Sequence, residues 1–251
     1  MAGGAGDDEC PDWPDQTEAG TCGCGFAPDA RCDALAVGLR HRYSFTDAND
    51  PVADSIGSAD GTLAGTPLVV DGSVTLSGNG DFVRLPAGLL ADLVDATFEA
   101  WLTWDGGDGW QRVFEFGSVN AVQNPTSFFY LTPRTGGEGV TVQFKSPGVS
   151  TNSLSTTEQF PVEELTHVAV VLSGGQRLTL YLDGALLGSL ATGFRLSLID
   201  DQINRLGRSL YYPDDPDLDG SLTEFRIYGV ALTATQVQKS FEIGPDAPLG
   251  Q

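Results

Sequence analysis

The sequence predicts an all-β fold: a two-sheet antiparallel jelly-roll sandwich with a short C-terminal helix and a disulfide-stapled N-terminal segment. Three observations predict it. A dozen or so short segments alternate apolar and polar residues at period two, the pattern of strands buried on one face. Turn signals separate them roughly every 8–12 residues, as in sandwiches and barrels, and 32 glycines among 251 residues supply those turns. Finally, the stretch 97–117, TFEAWLTWDGGDGWQRVFEFG, holds three of the four tryptophans. Rings of this size bury on the order of 150–250 Å² each, so this stretch is expected at the centre of the fold.

The chain divides at residue 38. Residues 1–38 are rich in Asp, Gly, Pro and Cys and lack periodicity, so they read as a Cys-rich linker or stalk; residues 39–251 carry the sandwich. A segment so poor in apolar residues makes no core and needs staples or bound ions to order it. It contains all four cysteines, Cys10, Cys22, Cys24 and Cys32. An even, clustered set with no histidine nearby points to two disulfides in an oxidising compartment. Zinc is the alternative; the close Cys22-Gly23-Cys24 spacing and the acidic surroundings, which raise thiol pKa values, stand against it. Four cysteines allow three pairings, and the sequence does not choose among them.

From Leu39 the texture changes. Residues 39–45 alternate as a first strand, and loops follow at 47–51 and 54–61. Strands are expected at 67–70, 73–77 and 81–85, with one or two helical turns at 88–94. In the aromatic stretch, Phe98, Ala100, Leu102 and Trp104 share one face of a strand and Thr97, Glu99, Trp101 and Thr103 the other. Residues 105–109, Asp-Gly-Gly-Asp-Gly, suit a turn because glycine reaches positive φ without steric cost. Alternation then resumes, with Trp110, Arg112, Phe114 and Phe116 opposite Gln111, Val113 and Glu115. The stretch therefore reads as a hairpin.

Further strands are expected at 127–132, 139–145, 166–173 and 176–182. Asp183-Gly184, the favoured type I′ pair, turns the chain into another at 185–190. The last strands fall at 203–208 and 220–228. Residues 232–241, LTATQVQKSF, form the one convincing helix, capped by Thr233 with Leu232, Val237 and Phe241 as its apolar stripe. No internal repeat is visible.

Charge narrows the function. The chain carries 34 acidic and 13 basic residues, a net −21. Nucleic-acid binding rests on Lys and Arg neutralising phosphate, so it is excluded as a partner; anionic lipid surfaces are disfavoured for the same reason. An acidic chain is compatible with calcium, with cationic partners, or simply with a solvated surface. No apolar run approaches the ~18–20 residues that span a bilayer. The start, MAGGAGDDEC, has neither the basic nor the apolar region of a signal peptide, so either one has been removed or the chain is a fragment.

The blocks HRYSF (41–45), DSIGSADGTL (54–63), FEAWLTW and WQRVFEFG (98–117), LYLDG (180–184), RLGRS (205–209) and DGSLTEFRIYGVALTATQV (219–237) occur in the order found in the laminin G-like, concanavalin A-like family. Over about residues 39–249 the chain resembles the bacterial secreted LamG modules of that family. The resemblance implies a two-sheet jelly roll, an extracellular or cell-surface location, and carbohydrate or protein binding and adhesion rather than catalysis. Residues 10–25 resemble a degenerate thrombospondin type 3-like repeat, with Trp13 and Gln16 replacing expected Asp and Lys. That implies a stalk, one route to self-assembly.

The resemblance also implies a structural calcium where the first-strand loop meets the final strand. Calcium takes oxygen ligands from carboxylates and loop carbonyls. Asp47, Asn49, Asp50 and Asp54 form one acidic loop; Asp214, Asp215, Asp217 and Asp219 form another. Asp47, Asp54, Asp217 and Asp219 are the expected ligands, although Thr223 stands where many relatives have Asp. The alternative is that Asp54 and Asp219 cap turns beside Gly57 and Gly220.

Candidate ligand-binding residues are Tyr211 and Tyr212, at the tip of a loop, and Trp110, Gln111 and Arg112, which combine a ring for stacking with planar hydrogen-bonding groups. Glu99 and Arg112 read either as structural partners, jointly or separately, or as a sugar's polar handle. No catalytic residue is assigned. Glycosidases need two carboxylates ~5–5.5 or ~6.5–9.5 Å apart; the Glu-x-Asp-x-x-Glu run of the family's laminarinase-like branch is absent, Glu163-Glu164 lies in a loop, and only a Glu99/Glu115 pair across the hairpin is conceivable. His41 and His167 have no Cys or second His nearby, and no G-x-S-x-G elbow exists. The expected function is non-catalytic recognition of a glycan or surface protein. An assembly subunit of an extracellular appendage, and a glycoside hydrolase, are the alternatives.

Overall fold

A computed structural model describes residues 35, 36 and 38–245. The four cysteines lie outside the described residues. Two antiparallel sheets form the sandwich. One runs in the order β13 (Ala185–Ala191), β12 (Arg177–Leu182), β11 (Leu165–Ser173), β6 (Ala96–Trp104), β15 (Asp219–Tyr228), β4 (Ser73–Ser77) and β3 (Leu68–Val70), with β1 (Leu39–Tyr43) pairing the second half of β15. The other runs β10 (Asn152–Ser155), β9 (Thr141–Lys145), β8 (Pro125–Thr132), β7 (Phe114–Val119), β14 (Ile203–Leu206), β5 (Phe82–Leu85) and β2 (Thr62–Ala64).

The expected strands are present, and two short ones, β2 and β10, add to them. Residues 88–94 make no helix; turns such as Leu93 N–H to Leu90 O (3.2 Å) occupy the region instead. Asp183 and Gly184 have φ of 47° and 73°, both positive, as type I′ requires.

The hairpin expectation is overturned. β6 and β7 belong to different sheets, and residues 105–113 carry the chain from one to the other. Period-two alternation places Phe98, Ala100, Leu102, Trp104, Phe114 and Phe116 in the core as expected. Val113 also turns into the core, however, and Arg112 joins Glu115 on the outer side, because residues 110–113 belong to the crossover and not to a strand. Nor does alternation name the neighbouring strand. β6 pairs with β11 and β15; β7 pairs with β8 and β14. The aromatic stretch is central because it contributes to both walls of one core. Phe98 of β6 lies 5.5 Å from Phe114 and 5.2 Å from Phe129, ring centre to ring centre, and Phe114 lies 5.8 Å from Phe225. Each such pair adds about 0.5–1.5 kcal/mol beyond burial.

β6 is buried on both faces. Its second face lies under the helix α1 (Ala234–Ile243). Thr233 caps this helix in a capping box with Gln236, and Val237 and Ser240 are buried against the sheet. Charged groups are sealed there. Glu99 accepts from Ser240 Oγ (2.8 Å) and meets His167 Nε2 (3.3 Å), while Arg226 donates to Glu224 (2.6 Å). Burial raises the Glu99 carboxyl, but His167, Arg226 and Ser240 outweigh it and hold it below its usual range. Among the described residues, no such helix lies over the outward face of the seven-stranded sheet.

Candidate functional site

Antiparallel register lays one polar row straight across that outward face: Thr62, Arg84, Arg205, Glu115, Tyr130, Gln143 and Ser153, each opposite the next. All come from outward positions of their strands, while Val83, Leu85, Phe114, Phe116, Phe129 and Leu131 point into the core. One row over lie Lys145, Phe128, Gly117 and Ile203.

The segment 207–218 folds down onto this face. Leu210 packs on Phe128 and Tyr130, and its N–H donates to Glu115 Oε2 (3.0 Å). Ser209 Oγ donates to Asp215 Oδ2 (2.8 Å) and accepts from Tyr211 N–H (2.9 Å). The Tyr212–Pro213 bond is cis. Thus fastened, the loop presents Tyr211 and Tyr212, which are 38% and 50% exposed. Tyr211 leans edge-on against Phe128 (6.0 Å). Tyr212 lies over the Arg208 guanidinium (4.1 Å), whose other side covers Phe82 (4.1 Å). One of the two expected rings thus rests on the sheet, and the other stacks on an arginine.

The remaining expected ligand residues sit beneath this platform. Arg112 is 1% exposed. It donates to Glu115 (3.0 Å), to Asp215 (2.6 Å) and to the Trp110 carbonyl, and it lies 3.8 Å over the Tyr130 ring. Glu115 is fully buried; burial raises its carboxyl above the usual range despite Arg112. Gln111 is also buried. Its Oε1 accepts from Trp104 Nε1 (2.9 Å) and from Asp219 N–H (3.0 Å), and its Nε2 donates to the Gly106 carbonyl (2.8 Å). Its amide therefore stitches the crossover between the sheets. Trp110 is half-buried at φ 71°, its N–H donating to the Arg134 carbonyl (2.8 Å).

Glu99 and Arg112 have separate partners, the second of the two structural readings. Glu99 faces the helix and Glu115 faces the tyrosine loop, so the two carboxylates lie on opposite outer faces of the sandwich and do not form a pair.

The carboxylates expected for calcium do not fit that ion. Asp54 accepts from His41 Nδ1 (2.7 Å) and from the N–H groups of Arg42, Gly57 and Ala59 (3.0, 3.0 and 3.1 Å). Burial works to raise its carboxyl, yet these bonds hold it well below the usual range. Asp217 takes both guanidinium arms of Arg208 (2.7 and 2.6 Å) and the Gly80 N–H (2.8 Å). Asp47 is exposed and accepts from Asn49 N–H (2.8 Å). Asp219 is exposed and lies beside Asp105, whose carboxyl burial raises and Asp219 raises further. Among the described residues no three His, Cys, Asp or Glu side chains form a group able to hold a metal. Nitrogen donors fill Asp54 and Asp217, which leaves the turn-capping alternative for Asp54.

Sequence reasoning missed Phe82, Arg84, Arg205 and Arg208. The motif RLGRS was visible, but its juxtaposition with Arg84 depends on the β5–β14 register.

The model of the laminin G type described as the concanavalin A-like lectin/glucanases superfamily matches residues 77–238. No curated protein matches the chain. Domain 4 of AbnA, a GH43 extracellular arabinanase from Geobacillus stearothermophilus solved in complex with arabinotriose, is similar with a TM-score of 0.67 and 25% identity, over 80% of this chain and 97% of that one. The binding domain of Paraclostridial Mosquitocidal Protein 1 gives 0.65 at 13% identity, over 82% of this chain and 52% of that one. A botulinum neurotoxin type C structure, whose cell entry is described as dependent on two ganglioside molecules, gives 0.65 at 12%, over 84% and 52%. The chain thus spans about half the length of these toxin chains, and that likeness concerns the fold alone.

Proposed function

The chain belongs to the concanavalin A-like lectin/glucanases superfamily, and from that premise we propose that it is a non-catalytic extracellular recognition module whose partner is a glycan. One observation carries this reading. Two adjacent tyrosines stand exposed on a loop fastened to the sheet by the part-buried ion pairs Arg112–Asp215 and Arg208–Asp217. Aromatic rings held rigid offer an apolar face to a sugar's C–H surface and a polar tip to its hydroxyls, at little entropic cost. The arabinanase domain solved with arabinotriose supports it, because that domain is matched over nearly its whole length. Among the described residues no helix is long and apolar enough to cross a membrane.

A glycan array tests the reading. The parent protein is expected to retain at least one oligosaccharide class, and Tyr212→Ala is expected to lose it without a change in melting temperature. Retention of none by the parent would overturn it. An assembly role draws on Leu68 and Val70, 63% and 50% exposed on the edge strand β3; mass rising with concentration in light scattering would favour it.

A further inference from the structure

The polar row contains a contradiction that a ligand would resolve. Arg84 and Arg205 are direct cross-strand partners on one face, and like charges so placed repel. A chain with 13 basic and 34 acidic residues has abundant carboxylate to separate them, yet neither makes a salt bridge among the described residues. With Arg208 they surround one ring: the guanidinium carbons lie 5.1, 5.4 and 4.1 Å from the Phe82 centroid for Arg84, Arg205 and Arg208. Arg208 is already neutralised by Asp217. Arg205 donates once, to the Ser209 carbonyl (3.1 Å); Arg84 is exposed. Burial lowers the Arg205 guanidinium, and Arg208 and Arg84 lower it further, against the opposing pull of Glu115, its partner on β7, and of Asp217. Beside the two arginines opens a cleft of about 350 Å³, lined also by Leu85, Gln202, Ile203 and Asn204. That is within the range of small-ligand sites.

We propose that this face reads an acidic glycan, with Arg84 and Arg205 gripping a carboxylate or sulfate on a sugar unit seated in the cleft while Tyr212 contacts a neighbouring unit. The inference rests on the glycan reading above and adds the chemical class. A guanidinium fork meets two oxygens of a carboxylate, or of a tetrahedral sulfate, in two-point contact. The ring of Phe82 holds the arginines in place, so little ordering is lost on binding.

Isothermal titration of the full chain with three probes decides it: an oligogalacturonate, a sulfated oligosaccharide and neutral arabinotriose. One or both acidic probes are expected to bind at least tenfold tighter than arabinotriose, with affinity falling as salt rises. Arg84→Gln is expected to erase that preference without lowering the melting temperature, since Arg84 is exposed and its loss relieves the repulsion from Arg205; Arg205→Gln is expected to do the same for affinity. Whichever acidic probe depends on Arg84 identifies the oxyanion. Tyr212-dependent binding of arabinotriose alone, or acidic binding indifferent to both arginines, would overturn the inference and leave the glycan reading standing. Binding of no probe, together with an empty glycan array, would remove both.

Discussion

Arg112 and Asp215 meet at 2.6 Å, and through this contact the crossover between the two sheets grips the loop that carries both tyrosines. Arg112 is anchored from below by Glu115 and by the Trp110 carbonyl. Removing one partner of a buried ion pair leaves the other charge uncompensated, at a cost of about 3–5 kcal/mol. Arg112→Ala is therefore expected to lower the melting temperature by roughly 10 °C, given ~2–4 °C per kcal/mol for a chain of this size. Asp215→Asn keeps a hydrogen-bond acceptor and should cost about 1–2 kcal/mol. Both should expose residues 211–214 to limited proteolysis. A loop as resistant as the parent's would show that Leu210 alone holds it.

Gly117 lies beneath that same loop. A Cβ built there would come within 2.2 Å of the Ser127 carbonyl oxygen and 2.9 Å of a Leu210 methyl carbon. The first obstacle is the backbone of the neighbouring strand, which cannot rotate aside. Gly117→Ala is expected to destabilise by about 1–3 kcal/mol through overpacking and to weaken ligand binding by lifting Leu210. Urea denaturation reads the first effect and titration the second; an unchanged urea midpoint would refute it.

Asp54 makes acid stability testable. Its folded-state carboxyl is held below its ordinary value, so it stays ionised in the fold where the unfolded chain would take up a proton. The stability it contributes is present above about pH 4 and is lost as pH falls toward the folded value. Asp54→Asn lacks that contribution at every pH. Parent and variant should differ most at neutral pH, and the gap should narrow progressively as pH falls below about 4, as measured by melting temperature. A gap constant with pH would mean that the carboxylate's charge does not matter and its shape does.

Calcium and a chelator are both expected to leave the melting temperature unmoved. A ligand bound only by the native state must raise stability, and Asp54 and Asp217 already spend their oxygens on nitrogen donors. A rise on adding calcium would locate the ion on other carboxylates.

The fold was legible because alternation is local. Phe98, Ala100, Leu102 and Trp104 point inward as their spacing requires, and Thr233 caps its helix as its position requires. Pairing was not legible, because it depends on residues distant in sequence. Ala169 opposite Glu99, or Asn204 opposite Phe116, has no local sign. Tyr211 and Tyr212 were legible as a loop tip from adjacent Pro213 and Asp214. Gln111 was misleading, because a planar amide serves a buried backbone turn as well as it serves a sugar. Arg84 and Arg205 passed unnoticed because each alone is an ordinary outward arginine; only the ladder makes them neighbours.

The sheet order has a consequence for how the chain is made. β14 lies between β7 and β5, and β15 lies between β6 and β4, so the last two strands are the middle planks of both walls. Until they leave the ribosome, five strands (β5 and β7, and β1, β4 and β6) carry open hydrogen-bonding edges, β6 with its aromatic face bare. Exposed edges of that kind invite pairing with other chains, and non-local pairing is slow. Neither sheet of the nascent domain is complete before β14 and β15 emerge, and the arrival of β15 draws β6, β4 and β1 together.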